Sequence, residues 1–254
     1  MAKNSGGTRQ NSRHTIGGIV RNETAAPVIV GKVPGNAIAA YFQGNIYISK
    51  ETEDAINRLL NSTGNEDDML KLEELLHEIG HAQADEGKLK QIQSPDPRGQ
   101  DSVQFAMEVM NEIRAREMLA DFAKKYGIKP LSVDYSKRGP RGGYNNKIAV
   151  LDKVIDALGA DKTSVYRDIA QSKEHSVNSL AGILSKHSKL NTLDAQRVVT
   201  NIYGNWVEWD DNRRGFDGKI KSPEELEKEF GVGSPNIRKP YSYDIALKII
   251  RQKR

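Results

Sequence analysis

The sequence predicts an α+β fold: a short antiparallel sheet followed by a long succession of helices. Three observations carry this. Residues 26–48 hold the runs PVIVGKV, NAIAAYF and GNIYIS, rich in β-branched and aromatic residues, separated by the turn signals Pro34-Gly35-Asn36 and Gln43-Gly44-Asn45. From Ser49 onward, apolar residues recur at three- and four-residue spacing instead. Residues 127–146 carry two prolines, four glycines and several basic groups, which interrupts the helical part. The organisation that follows is a flexible N-terminal segment (1–25), a core (26–127), a basic Gly/Pro loop (128–146) and a mainly α-helical C-terminal region (147–254).

In GNIYIS, Ile46 and Ile48 point one way and Tyr47 the other, as a half-buried strand requires. Ser49 caps a helix through Ala55, Ile56, Leu59 and Leu60, which ends in NSTGNEDD. A second helix spans about 67–84 with Met69, Leu72, Leu75, Leu76 and Ile79 on it. After a loop over 87–100, a third starts near Asp101, a candidate N-cap, and stops at Gly127. Further helical patterns cover 148–158, 164–171, 175–188 and 192–203. The tail holds Trp206, Trp209, a helix over 223–230 and a final amphipathic helix from Tyr243. There is no internal repeat.

Composition excludes several classes. There is no cysteine, hence no disulfide, cysteine-based metal site or cysteine nucleophile. No run of about eighteen apolar residues exists, so no transmembrane helix is expected. The N-terminus lacks an apolar h-region, which points to a cytoplasmic chain or to export by a route that reads no such signal. The net charge is +4, with basic residues at both ends, but no stacking or base-reading motif accompanies them. That argues against nucleic acid as a partner.

The chemistry concentrates in EELLHEIGHAQ (73–83). Residues four apart on a helix share a face, so His77 and His81 direct their imidazoles at one point. Glu78 sits about 100° further round, beside that point, where a general base for a metal-activated water belongs. Zinc suits two imidazoles and one carboxylate, with a fourth position left for water. The HExxH pattern arises by chance in about one chain in a hundred of this length, and here it falls inside an amphipathic helix with uncharged Ile79 and Gly80 between the ligands.

A third ligand is needed. The metzincin pattern would place Gly at 84 and His or Asp at 87; the chain has Ala84 and Gly87. The helix after the motif offers Glu108, Glu112 and Glu117. At about 100° per residue, Val103, Ala106, Met110, Ile113 and Ala120 fall within about 60° of Glu117, whereas Glu108 and Glu112 face roughly the other way. A carboxylate on an apolar stripe is costly unless paired or metal-bound, so Glu117 is the expected ligand, with Glu112 next. Asp121, one turn on, either orients a ligand histidine or pairs with Lys124 or Lys125 at the surface. Candidates for stabilising an oxyanion are Tyr144, Tyr126 and His175, with Tyr135 and His187 behind them.

With HEIGH (77–81) and EMLADFA (117–123), the sequence resembles the gluzincin metallopeptidases. The second motif is similar to the E-x-x-A-D/N pattern near the ligand glutamate of several such families, including the CAAX-processing type and, more loosely, the ImmA/IrrE type. The resemblance covers about residues 26–127. It implies a small zincin core, in which an edge strand like GNIYIS pairs with an extended peptide substrate. The C-terminal half carries no matching motif.

The expected function is therefore a Zn2+-dependent endopeptidase, with His77, His81 and Glu117 as ligands and Glu78 as base, belonging to a phage, a mobile element or a secreted toxin system. Its partners are a peptide or protein substrate and, through the C-terminal helices, a partner or inhibitor protein. The alternative is a non-enzymatic helical binding or scaffold protein with a structural or vestigial metal site. Glu78 argues against it, because a purely structural site has no use for an uncoordinated carboxylate there.

Overall fold

The computed structural model describes residues 15–34, 37–88, 97–138, 144–203 and 243–253. Trp206, Trp209, the expected helix over 223–230 and most of the expected flexible N-terminal segment lie outside them. The class is α+β, with one small sheet, an HExxH-bearing helix and a mostly helical C-terminal region. Contacts divide the chain into two compact units: residues 1–82 with 119–133, and residues 83–118 with 134–254.

The first unit begins with α1 (Ile16–Glu23). Thr15 caps it by accepting from the Gly18 N–H, and Ile16, Ile19 and Val20 are buried. This corrects the expectation of flexibility as far as residue 25. The Gly17-Gly18 pair reads as loop, but three apolar side chains at helical spacing outweigh its cost once they have a core to enter.

The sheet comprises β1 (Val28–Val30), β2 (Ala39–Phe42) and β3 (Asn45–Ile48) in the order β1-β3-β2. β2 and β3 form an antiparallel hairpin, and β1 runs parallel to β3. The sheet is thus mixed, where an antiparallel one was expected, and GNIYIS is its centre and not an edge. Side-chain alternation has period two in either direction, so the pattern cannot distinguish them. Gln43 and Gly44, at φ +49° and +79°, make the hairpin turn. Two central residues with positive φ define the type I′ turn that suits right-twisted strands. Ile46, Ile48 and Ala39 point into the core.

Helix α2 (Lys50–Leu60) follows, capped by Ser49 through the Thr52 N–H as expected. Helix α3 (Glu66–Asp85) carries the motif. At its start Asn65 and Asp68 bond each other's backbone N–H, a reciprocal box that satisfies two otherwise orphaned donors. Asp68, 2% exposed, also takes both ends of the Arg58 guanidinium from α2, at 3.1 and 2.5 Å. These contacts fix α3 against α2. Met69, Leu72, Leu75, Leu76 and Ile79 are all buried, the set the periodicity predicts.

Helix α4 (Pro97–Lys125) starts at Pro97, four residues before the expected cap Asp101. Proline fits a first helical turn, where its missing N–H is not needed. In the second unit, α5 (Asn145–Leu158), α6 (Lys162–Gln171), α7 (Val177–Lys186), α8 (Thr192–Tyr203) and α9 (Tyr243–Gln252) surround one apolar core. Phe105, Val109, Met110 and Ile113 of α4 enter it, and Tyr203 is wholly buried there. Asp161 and Ser176 cap α6 and α7.

Candidate metal centre

Helix α3 brings the two histidines together. Their Nε2 atoms lie 3.0 Å apart and their rings meet edge to face. Two imidazole nitrogens at about 2.0–2.1 Å from a tetrahedral ion would sit about 3.3 Å apart, so the pair is close to zinc-binding geometry. His77 is 6% exposed, while His81 is half-buried. Imidazole nitrogens of this kind suit zinc.

Glu78, the residue after His77, reaches the sheet. Its Oε2 accepts the backbone N–H of Tyr41, in β2, at 2.6 Å. A charge-assisted bond of this length fixes the carboxylate beside the sheet's edge. Glu78 is half-buried, follows His77 directly in the chain and is tethered to an edge strand.

Among the described residues, one group offers ligand atoms all within 4.8 Å of one another: His77, His81 and Glu108. Glu117 does not belong to it. Glu117 is exposed and lines an open cleft with Arg116, Tyr135, Asn145 and Asp152. The correction has a physical cause. Over 105–113, α4 is buried on nearly all sides, so a helical wheel shows apolar neighbours in every direction. Past that point only Ala115, Leu119, Phe122, Ala123 and Tyr126 stay buried, while Glu117, Met118, Ala120 and Asp121 face solvent. Ala115, Leu119, Phe122 and Tyr126 fall within about 40° of Glu108 and not of Glu117. Weighting the wheel by its second half would have found Glu108.

Glu112 is buried but committed elsewhere, to Arg116 at 2.7 Å and Arg138 at 3.2 Å. Asp121 is 88% exposed and sits 3.6 Å from Lys124, the surface pair that was one of its two readings. Tyr126 is buried, and its hydroxyl bonds Glu23 and the Ile19 carbonyl. Burial, reinforced by Glu23, pushes that hydroxyl above the ordinary phenol range. It is thus engaged with α1 and is no oxyanion donor. Tyr144 takes the left-handed conformation, φ +53°, ahead of α5 and packs on the helical core. His175 is buried just before α7, Tyr135 lies under the Arg116 guanidinium, and His187 bonds Asp168 at 2.7 Å. One residue escaped sequence reasoning: Glu73, a wholly buried carboxylate one turn before His77 on the same face. Its signal was its place at i−4 from the first histidine.

No protein-family model matches this chain, and no curated protein or solved structure matches it either. Among the described residues, no helix is long and apolar enough to cross a membrane.

Proposed function

We propose that the chain is a zinc-dependent endopeptidase. The observation that carries this reading is the pair of converging Nε2 atoms 3.0 Å apart, with Glu78 next to them and tied to strand β2. His77, His81 and Glu108 are the ligands in this proposal, and Glu108 takes the place first given to Glu117. Bound there, zinc would acidify a water molecule and polarise a peptide carbonyl. Glu78 takes the proton of the attacking water and returns it to the leaving amine. An extended substrate lies along the outer side of β2, which has no further strand beside it among the described residues.

We assign the helical unit to substrate choice or to a partner or inhibitor protein, and place the enzyme in the cytoplasm or on an export route without a signal peptide. The protein itself belongs to a phage, a mobile element or a secreted toxin system in this reading. A toxin impairs growth when expressed, and its Glu78→Gln form does not.

The deciding experiment measures zinc content and peptide cleavage for wild type and Glu78→Gln. The variant retains stoichiometric zinc and loses about 10²–10⁴-fold in rate, the usual contribution of a general base. Full activity in the variant would sink the peptidase reading. Zinc without any cleavage by the wild type favours the scaffold alternative.

A further inference from the structure

We infer that the exposed face of β2 forms a notch for one large apolar side chain of the substrate, with Ala40 as its floor and Ile38 and Phe42 as its walls. The inference rests on the peptidase reading and names the substrate class for that site.

Backbone direction comes first. Phe42 and Asn45 flank the Gln43-Gly44 turn and pair with each other. In a two-residue hairpin the flanking pair exchanges both hydrogen bonds, so the backbone groups of Phe42 and Ala40 face β3. Those of Ala39 and Tyr41 face outward. Two bonds agree with this alternation: the Ser49 N–H donates to the Ile38 carbonyl at 3.3 Å, and the Tyr41 N–H leaves the sheet to reach Glu78. The hydrogen-bonding edge of β2 therefore runs past the proposed general base.

Side chains alternate in the other plane. Ala39 is buried on the core face, so Ile38, Ala40 and Phe42 share the opposite face. Ile38 is 39% exposed and Phe42 49%. Tyr47, opposite Ala40, and Ile29, opposite Tyr47, extend the same face across the sheet, and Ile29 is also exposed. Single exposed apolar residues are ordinary, but a row of them beside an open edge next to a catalytic group marks an interaction surface.

A peptide paired with this edge through Ala39 and the Tyr41 carbonyl, the Tyr41 N–H being held by Glu78, sets every second side chain on this face. One of them falls opposite Ala40. Directly opposed side chains come within about 5 Å and diagonal ones within about 7–8 Å. The Ala40 methyl leaves the space above it open, so a leucine, methionine or phenylalanine there covers both Ile38 and Phe42. A charged side chain would lose water against the same walls and gain no partner.

The test is cleavage of a positional-scanning peptide library by the zinc-loaded full chain. Wild type prefers large apolar residues at one position by about tenfold or more over serine and aspartate, a usual discrimination for an apolar pocket. Phe42→Ser and Ile38→Ser lose that preference but still cleave peptides with a small residue there. Ala40→Leu fills the notch and reverses the preference towards small residues, a gain that a misfolded protein cannot show. Cleavage with no apolar preference, or with one untouched by all three variants, overturns this inference and leaves the peptidase reading standing. A wild type that holds zinc and cleaves nothing overturns both. A dimer in solution that Phe42→Ser dissociates also overturns it, because the row then belongs to self-association.

Discussion

Glu108 and Glu117 sit on one helix, nine residues and about half a turn of the wheel apart. Only Glu108 is 8% exposed and within ligand distance of the histidines. Glu108→Ala is expected to lower zinc affinity by at least about tenfold, and Glu117→Ala to leave it unchanged. Competition with a chromophoric chelator reads both. A loss on Glu117→Ala alone would restore the first assignment. Asp68 anchors the other end of α3. Its bonds to Arg58, helped by the Asn65 N–H, hold its carboxyl below the ordinary carboxylate range. A lowered folded-state value means that the unfolded chain binds the proton first. The stabilisation is thus complete above the ordinary range and disappears as pH falls through the folded value. Urea midpoints measured downward from pH 7 should fall more steeply for wild type than for Asp68→Asn.

At the scale of elements, the β2–β3 hairpin is the piece most readable from sequence and most open to a clean test. Gly44 has φ +79° and open space where a Cβ would be. Gly44→Ala meets no clash, so its cost is backbone conformation alone, about 1–2 kcal/mol. Gln43→Asn should act in the opposite direction, since asparagine suits the first position of a type I′ turn. Chemical denaturation of both variants checks the pair. The helix ends follow the same local logic. Lys186, His187 and Lys253 crowd one cleft, but α5, α7 and α9 all end there. Their carbonyl ends carry partial negative charge, and the cations answer it.

At the scale of the whole molecule, the helical unit has an apolar core of its own. The helical unit's core includes Leu151, Val154, Ile155, Leu180 and Leu184, each wholly buried. Leu184→Ala should cost about 2–5 kcal/mol in that unit. The thermal transition of the helical unit should drop accordingly, as scanning calorimetry reads. Helix positions here were legible because the apolar spacing is long and regular. Sheet order was not, because residues 28–30 show the same alternation whichever neighbour they take.

The sequence by itself determined the motif's geometry. His77 and His81 share a face because the α-helix repeats every 3.6 residues, and Glu78 follows at a fixed angle. Those relations are local and need no partner. The grouping of Glu108 with the two histidines, the direction of β1, the place of β3 at the sheet's centre and the helix over 16–23 were decided only by tertiary structure. The reason is one and the same. Each depends on contacts between segments far apart in the chain, and the burial of α4 narrows to one side along its length. A wheel projects that length onto one circle and loses the change. In three dimensions the carboxylate on the lasting buried stripe is Glu108.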